Sequence, residues 1–115
     1  DPETNISGTV NVSQKFKDLV AAGDRLVIML FDPELARPVA FRILENIQFP
    51  LDFKIGAADA MPGAQLKGPF SLRILTDKNN QPFESAPGEL IVRSAEALPL
   101  GSHGLSFILD QEYRR

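Results

Sequence analysis

Apolar and polar residues alternate in several short stretches of the chain. Alternation with a period of two is typical of a β-strand that buries one face and exposes the other. The stretches that show it are residues 6–12, 39–47, 51–55, 70–74, 90–92 and 105–109. The pattern therefore predicts a protein built mainly from β-strands.

One further stretch, residues 26–31, departs from this alternation because it is apolar throughout. A strand that is apolar on both faces lies centrally in a sheet or is covered by a second layer. We therefore expect residues 26–31 to form a central or doubly covered strand, which brings the predicted number of strands to about seven.

A short helix is predicted between the first two strands. Ser13 is a residue type that caps helices by accepting a hydrogen bond on its hydroxyl. Phe16, Leu19 and Val20 then share one helical face, and Gly23 suits the turn that ends the element.

Turn residues separate the strands at regular intervals, and most of the nine prolines stand at these turns or at strand starts. Regularly spaced short strands are typical of sandwiches and barrels. We predict an all-β fold: an antiparallel β-sandwich or partly open barrel of about seven strands, with one short helix after the first strand. No linker or repeat divides the chain, so residues 1–115 are predicted to be a single domain.

Composition narrows the classes of function. The net charge is −3, and the chain has no basic cluster beyond Arg114 and Arg115, so we predict no nucleic-acid binding. No apolar run is long enough to span a bilayer, which predicts no direct membrane insertion by this segment. Because the sequence begins at Asp1 rather than Met, we expect it to be excised from a longer or membrane-anchored protein.

The sequence has few groups suited to catalysis. It has no cysteine, and its single histidine, His103, lies between glycines in a predicted turn. Neither Ser102 nor Ser106 stands in a nucleophile motif. The prediction is a protein with no catalytic residues.

Acidic residues give no stronger signal. The pairs Asp32 with Glu34 and Glu84 with Glu89 are expected to be solvated loop charges. The stretch 77–81 carries oxygen ligands but lacks the acidic density of a calcium loop. The sequence therefore predicts no metal and no cofactor.

Four residues are candidates for binding a protein partner. Arg42 and Arg73 are predicted on the outward faces of strands, where an arginine can bind a carboxylate. Phe49 and Met61, each followed by a proline, are candidates for an exposed apolar contact. The alternative is that the arginines are merely solvated and that Phe49 and Met61 pack in the core or in turns.

Several short motifs occur in an order that resembles a known family. They are Ile6-Ser7-Gly8-Thr9-Val10, Val20 through Ile28 with its central Gly23-Asp24, Arg37-Pro38-Val39-Ala40-Phe41-Arg42, Phe49-Pro50-Leu51-Asp52-Phe53 with Ala60-Met61-Pro62-Gly63, and Pro87-Gly88-Glu89-Leu90. In this order they resemble the C-terminal periplasmic domain of the cytochrome c biogenesis protein CcmI. The resemblance runs from about residue 6 to residue 109 and is weakest at residues 56–61, which are less acidic here.

The resemblance implies a non-catalytic, membrane-associated periplasmic domain in bacteria. Its role would be that of a chaperone that docks apocytochrome c or assembles the haem-ligation complex. The resemblance assigns no catalytic residue to this sequence. The alternative is a generic β-sandwich binding module of a secreted protein or lipoprotein. Sugar binding is disfavoured because tryptophan is absent and Tyr113 is the only tyrosine.

Overall fold

Two β-sheets pack face to face in the computed structural model, which describes residues 2–35 and 37–114. The strands are β1 (Asn5–Val12), β2 (Arg25–Asp32), β3 (Arg37–Leu44), β4 (Leu51–Gly56), β5 (Ser71–Asp77), β6 (Leu90–Arg93), β7 (Leu105–Leu109) and β8 (Gln111–Glu112). One sheet has three strands in the order β4-β1-β7, and the other has five in the order β3-β2-β5-β6-β8. The predicted all-β sandwich is confirmed.

One strand pair differs from the antiparallel prediction, because β1 and β7 run parallel. Gly8 of β1 lies opposite Leu105 of β7. A Cβ atom at position 8 would overlap the carbonyl oxygen of Leu105. The absence of a side chain at Gly8 therefore permits the close approach of these two strands.

The main core lies between the two sheets and follows the predicted alternation. Its buried members come from both sheets: Ile6, Val10, Phe53, Ile55 and Leu109 from the three-stranded sheet, and Leu26, Ile28, Leu30, Leu72, Ile74 and Leu90 from the five-stranded sheet. Strand β2 pairs on both sides, with β3 and β5, so its interior position in the sheet is as expected from its apolar sequence.

Strand β3 contains an irregularity that changes which side chains face the core. Its pairing with β2 shifts by one residue next to Val39, so that Val39 and Ala40 both join the main core. After this shift Phe41 and Ile43 lie on the opposite face, in a second cluster. The simple alternation predicted Val39, Phe41 and Ile43 on one face, and that assignment is wrong because an extra residue in a strand inverts the faces that follow.

The predicted helix is present as a short 3-10 helix, Gln14–Leu19. Ser13 precedes it, but its hydroxyl makes no capping bond; instead its backbone oxygen accepts a hydrogen bond from the N–H of Phe16 at 2.9 Å. Phe16 is buried, and Leu19 packs against the main core, as the helical pattern predicted. Gly23 has the positive φ expected of the following turn.

Ion pairs join this turn to strand β5. The Nη2 atom of Arg25 lies 2.6 Å from a carboxylate oxygen of Asp77, and Lys78 Nζ lies 2.6 Å from Asp24. Asp77 is thus engaged by a cation at the start of the stretch 77–81.

The interpretation of Glu89 as a solvated loop charge is wrong. Its side chain is buried, and its two carboxylate oxygens accept hydrogen bonds from the backbone N–H groups of Lys78 at 2.7 Å and Ala86 at 2.8 Å. Glu84, in the same loop, is exposed as expected. The buried carboxylate stabilises the ends of the loop between β5 and β6 because it satisfies two backbone donors.

Candidate protein-binding surface

The outer faces of the two sheets differ in character. The outward residues of the three-stranded sheet are mostly polar: Ser7, Thr9 and Asn11 on β1, Asp52 and Lys54 on β4, and Ser106 on β7. Ile108 is an exposed apolar exception. A polar outer face of this kind is typical of a sheet that contacts water.

The outer face of the five-stranded sheet is instead apolar. Three of its side chains are buried although they lie outside the main core, namely Val27, Met29 and Leu75. Four half-buried side chains pack around them: Phe31, Phe41, Ile43 and Ile91. This second cluster accounts for the apolar residues on the outer face of β2, and all its members come from strands of the same sheet.

An aromatic residue from the loop between β5 and β6 extends this cluster. The ring of Phe83 meets that of Phe41 edge to face, with centroids 5.4 Å apart, yet Phe83 remains 55% exposed. Such a geometry is favourable for an aromatic pair. We define the outer patch as Phe31, Phe41, Ile43, Phe83 and Ile91, together with Arg73 and Arg93 on the same face.

Two arginines lie side by side within the outer patch. Arg73 of β5 is paired in register with Arg93 of β6. The guanidinium of Arg73 lies 4.2 Å from the centroid of the Phe31 ring. Burial, and secondarily the charge of Arg93, lower the pKa of Arg73.

No acidic side chain in residues 2–35 and 37–114 forms an ion pair with either arginine. Among the described residues, the ion pairs involve other cations, and neither Arg73 nor Arg93 takes part in one. The Nε atom of Arg73 is buried without any hydrogen-bond acceptor. The patch therefore combines apolar surface with two positive charges and an unsatisfied donor.

The structure separates the two arginines that the sequence nominated. Arg73 lies on an outward face, as predicted. Arg42 lies opposite Ile28, on the same face as the core residues of β3, so its predicted outward orientation is wrong. Its guanidinium donates a hydrogen bond to the backbone oxygen of Lys54 at 3.3 Å, in a cleft of about 350 Å³ between β3 and β4.

Phe49 and Met61 do not join the outer patch either. Phe49 is half-buried and packs against the main core, in agreement with the packing alternative. The backbone N–H of Met61 donates a hydrogen bond to the backbone oxygen of Val39. Met61 also lines a groove of about 500 Å³ beside β3. The four nominated residues therefore do not form one surface.

Sequence reasoning did not nominate Arg93 or Phe83. Arg93 follows Ile91 with a spacing of two, which was the available signal that both share the outer face of β6. Phe83 stands alone in a polar loop, where no periodicity indicates which surface it contacts.

Two of the groups considered for catalysis, His103 and Ser102, form local hydrogen bonds with backbone oxygens. His103 is exposed in the loop that precedes β7, and the hydroxyl of Ser102 donates to the backbone oxygen of Pro99 at 2.7 Å. Within residues 2–35 and 37–114, no three acidic or histidine side chains form a group suited to hold a metal ion. In the same part of the chain, no helix has the length and apolar character needed to cross a membrane.

Comparison with known proteins gives one informative similarity. No family model matches the sequence, and no curated protein matches it. Among solved structures, an alternative pilotin from the type II secretion system of Vibrio cholerae is similar, with a TM-score of 0.53 and 13% sequence identity. The match covers 96% of this chain and 97% of the pilotin. The TM-score shows that the two proteins share a fold, and the low sequence identity supports nothing beyond the fold.

Proposed function

We propose that this chain is a non-catalytic protein-binding module of an exported, envelope-associated bacterial protein. The observation that carries the proposal is the outer patch, because an apolar sheet face with two unpaired arginines is suited to bind another protein. The three-stranded sheet has the polar outer face that an unpartnered sheet normally presents.

The fold similarity to a secretion-system pilotin supports an envelope-associated role. It favours the alternative raised from the sequence, a binding module of a secreted protein or lipoprotein. The role in cytochrome c maturation rests on the short motifs alone and receives no support from the comparisons. It stays a prediction, with apocytochrome c or a haem-ligation component as its expected partner.

Photo-crosslinking tests the proposal directly. The photoreactive amino acid p-benzoylphenylalanine is introduced at Phe83 in the outer patch, and the modified protein is produced in its native host. The matched control carries the same group at Ile108, which is comparably exposed on the outer face of the other sheet. Adducts are detected by a mass shift and identified by mass spectrometry.

We expect a discrete adduct from position 83 and none from position 108. An adduct with a secretion-system or other envelope protein supports the proposed class of function, whereas apocytochrome c or a haem-ligation component supports the motif-based prediction. Adducts from position 108 alone would show that the partner binds the three-stranded sheet and not the outer patch. No adduct from either position contradicts a protein-binding role.

A further inference from the structure

Two arginines that face each other across neighbouring strands destabilise a sheet when no acid lies between them. Side chains paired in register lie about 5 Å apart at Cβ, and like charges at this distance repel. Arg73 and Arg93 are in this position. The described part of the protein supplies no carboxylate to either of them.

The buried Nε atom of Arg73 adds a second unfavourable feature. A buried donor without an acceptor loses its hydrogen bonds to water and gains none in return. Because the guanidinium is held over the Phe31 ring, it is fixed in a defined orientation. The like-charge repulsion is relieved by one acceptor group placed between the two arginines.

The surroundings limit what that group can be. Met29 and Phe41 lie in the same cross-strand row as the arginine pair, and Leu75 and Ile91 lie in the next row. Met29 and Leu75 are buried, so a ligand that reaches the arginines contacts the half-buried apolar side chains around them, Phe31, Phe41 and Ile91. A small hydrated anion would leave this apolar surface uncovered, whereas a peptide segment with apolar side chains around an acid would cover it.

We infer that the outer patch binds a partner protein through an aspartate or glutamate flanked by apolar residues, whose carboxylate lies between Arg73 and Arg93. This inference rests on the proposed protein-binding function and names the chemistry of the partner. The arginine fork donates to carboxylate oxygens in parallel, so the contact selects for an acid and fixes its position. The apolar flanks pack on Phe31, Phe41 and Ile91 and exclude water from the ion pair.

Selection from a peptide library tests the inference and does not require the natural partner to be identified first. Random 12-residue peptides displayed on phage are selected on the wild-type domain, and the most enriched peptide is synthesised together with its Glu→Gln or Asp→Asn form. Affinities are measured by calorimetry for the wild-type domain and for Arg93→Gln and Arg73→Lys. Arg93 is exposed, so Arg93→Gln is expected to preserve the fold, which circular dichroism checks.

We expect selected peptides to carry an acid between apolar residues. Affinity should fall about 10- to 100-fold for Arg93→Gln and for the neutralised peptide, as is typical of a lost charge-assisted hydrogen bond. The two changes combined should cost little more than either alone, because they remove the same contact. Arg42→Gln is the control and should change affinity less than about 2-fold, since Arg42 lies on the other face of the sheet.

Other outcomes separate this inference from the proposed function. Peptides without an acid, or binding that Arg93→Gln and Arg73→Lys leave unchanged, would overturn the inference while protein binding stands. A concentration-dependent dimer seen by light scattering and lost in Arg93→Gln would overturn it by making a second copy of this chain the occupant. Failure to select any peptide would count against both.

Discussion

At the scale of single residues, Glu84 and Glu89 show how one loop gives two glutamates opposite environments. Replacing Glu89 by Gln should lower the free energy of unfolding by about 1–3 kcal/mol, because an amide group would then face one of the two backbone donors that the carboxylate now satisfies. The matched change Glu84→Gln, at an exposed position, should stay within about 0.5 kcal/mol. Urea denaturation measures both, and equal effects would show that Glu89 is not buried in solution.

Removing one arginine of the Arg73–Arg93 pair should have the opposite effect on stability from Glu89→Gln. Arg93→Gln removes one of two like charges that face each other, so it should raise the free energy of unfolding by about 0.2–1 kcal/mol. Thermal melting at low ionic strength measures this, and added salt should reduce the gain because it screens the repulsion. A loss of stability would mean that Arg93 makes a favourable contact within the domain.

At the scale of elements, the positions of the strands could be predicted from the sequence, but the register in which they pair could not. The alternation at residues 105–109 predicted β7 with its observed bounds, and the continuous apolar run located β2. Strand β8 has only two residues, too few for any periodicity. The register shift beside Val39 depends on how β3 pairs with β2, so the sequence of β3 alone placed Phe41 and Ile43 on the wrong face.

The parallel contact between β1 and β7 depends on one glycine. Gly8→Ala should destabilise the domain by about 1–3 kcal/mol, because its Cβ would overlap the Leu105 backbone and force the strands apart. Hydrogen exchange should accelerate at the amides of β7 more than at those of β5. The control Ser106→Ala changes an exposed β7 side chain and should leave exchange unaltered. Unchanged exchange in Gly8→Ala would contradict the close approach.

At the scale of the whole molecule, the candidate site was only partly predictable because it is assembled from distant segments. Arg73 was nominated from its strand, but the other members of the outer patch include Phe31, Phe83 and Arg93, which come from β2, a loop and β6. Alternation assigns a residue to one of two faces; it does not show which faces of different strands become one surface. Arg42 shares the residue type of Arg73, and only the register of β3 places it on the opposite face.

The two sheets share one main core, which predicts how the whole molecule unfolds. Ile6 and Phe53 of one sheet pack with Ile28 and Ile74 of the other, so neither sheet can keep its inner face buried when the other unfolds. We therefore expect a single calorimetric transition in which the calorimetric and van't Hoff enthalpies agree. For 115 residues the enthalpy should be about 80 kcal/mol near 60 °C. A calorimetric enthalpy well above the van't Hoff value would show that the sheets unfold separately. Leu72→Ala, in the main core, should lower the midpoint because it removes buried apolar contacts, and the transition should stay single because the remaining core residues still join the two sheets.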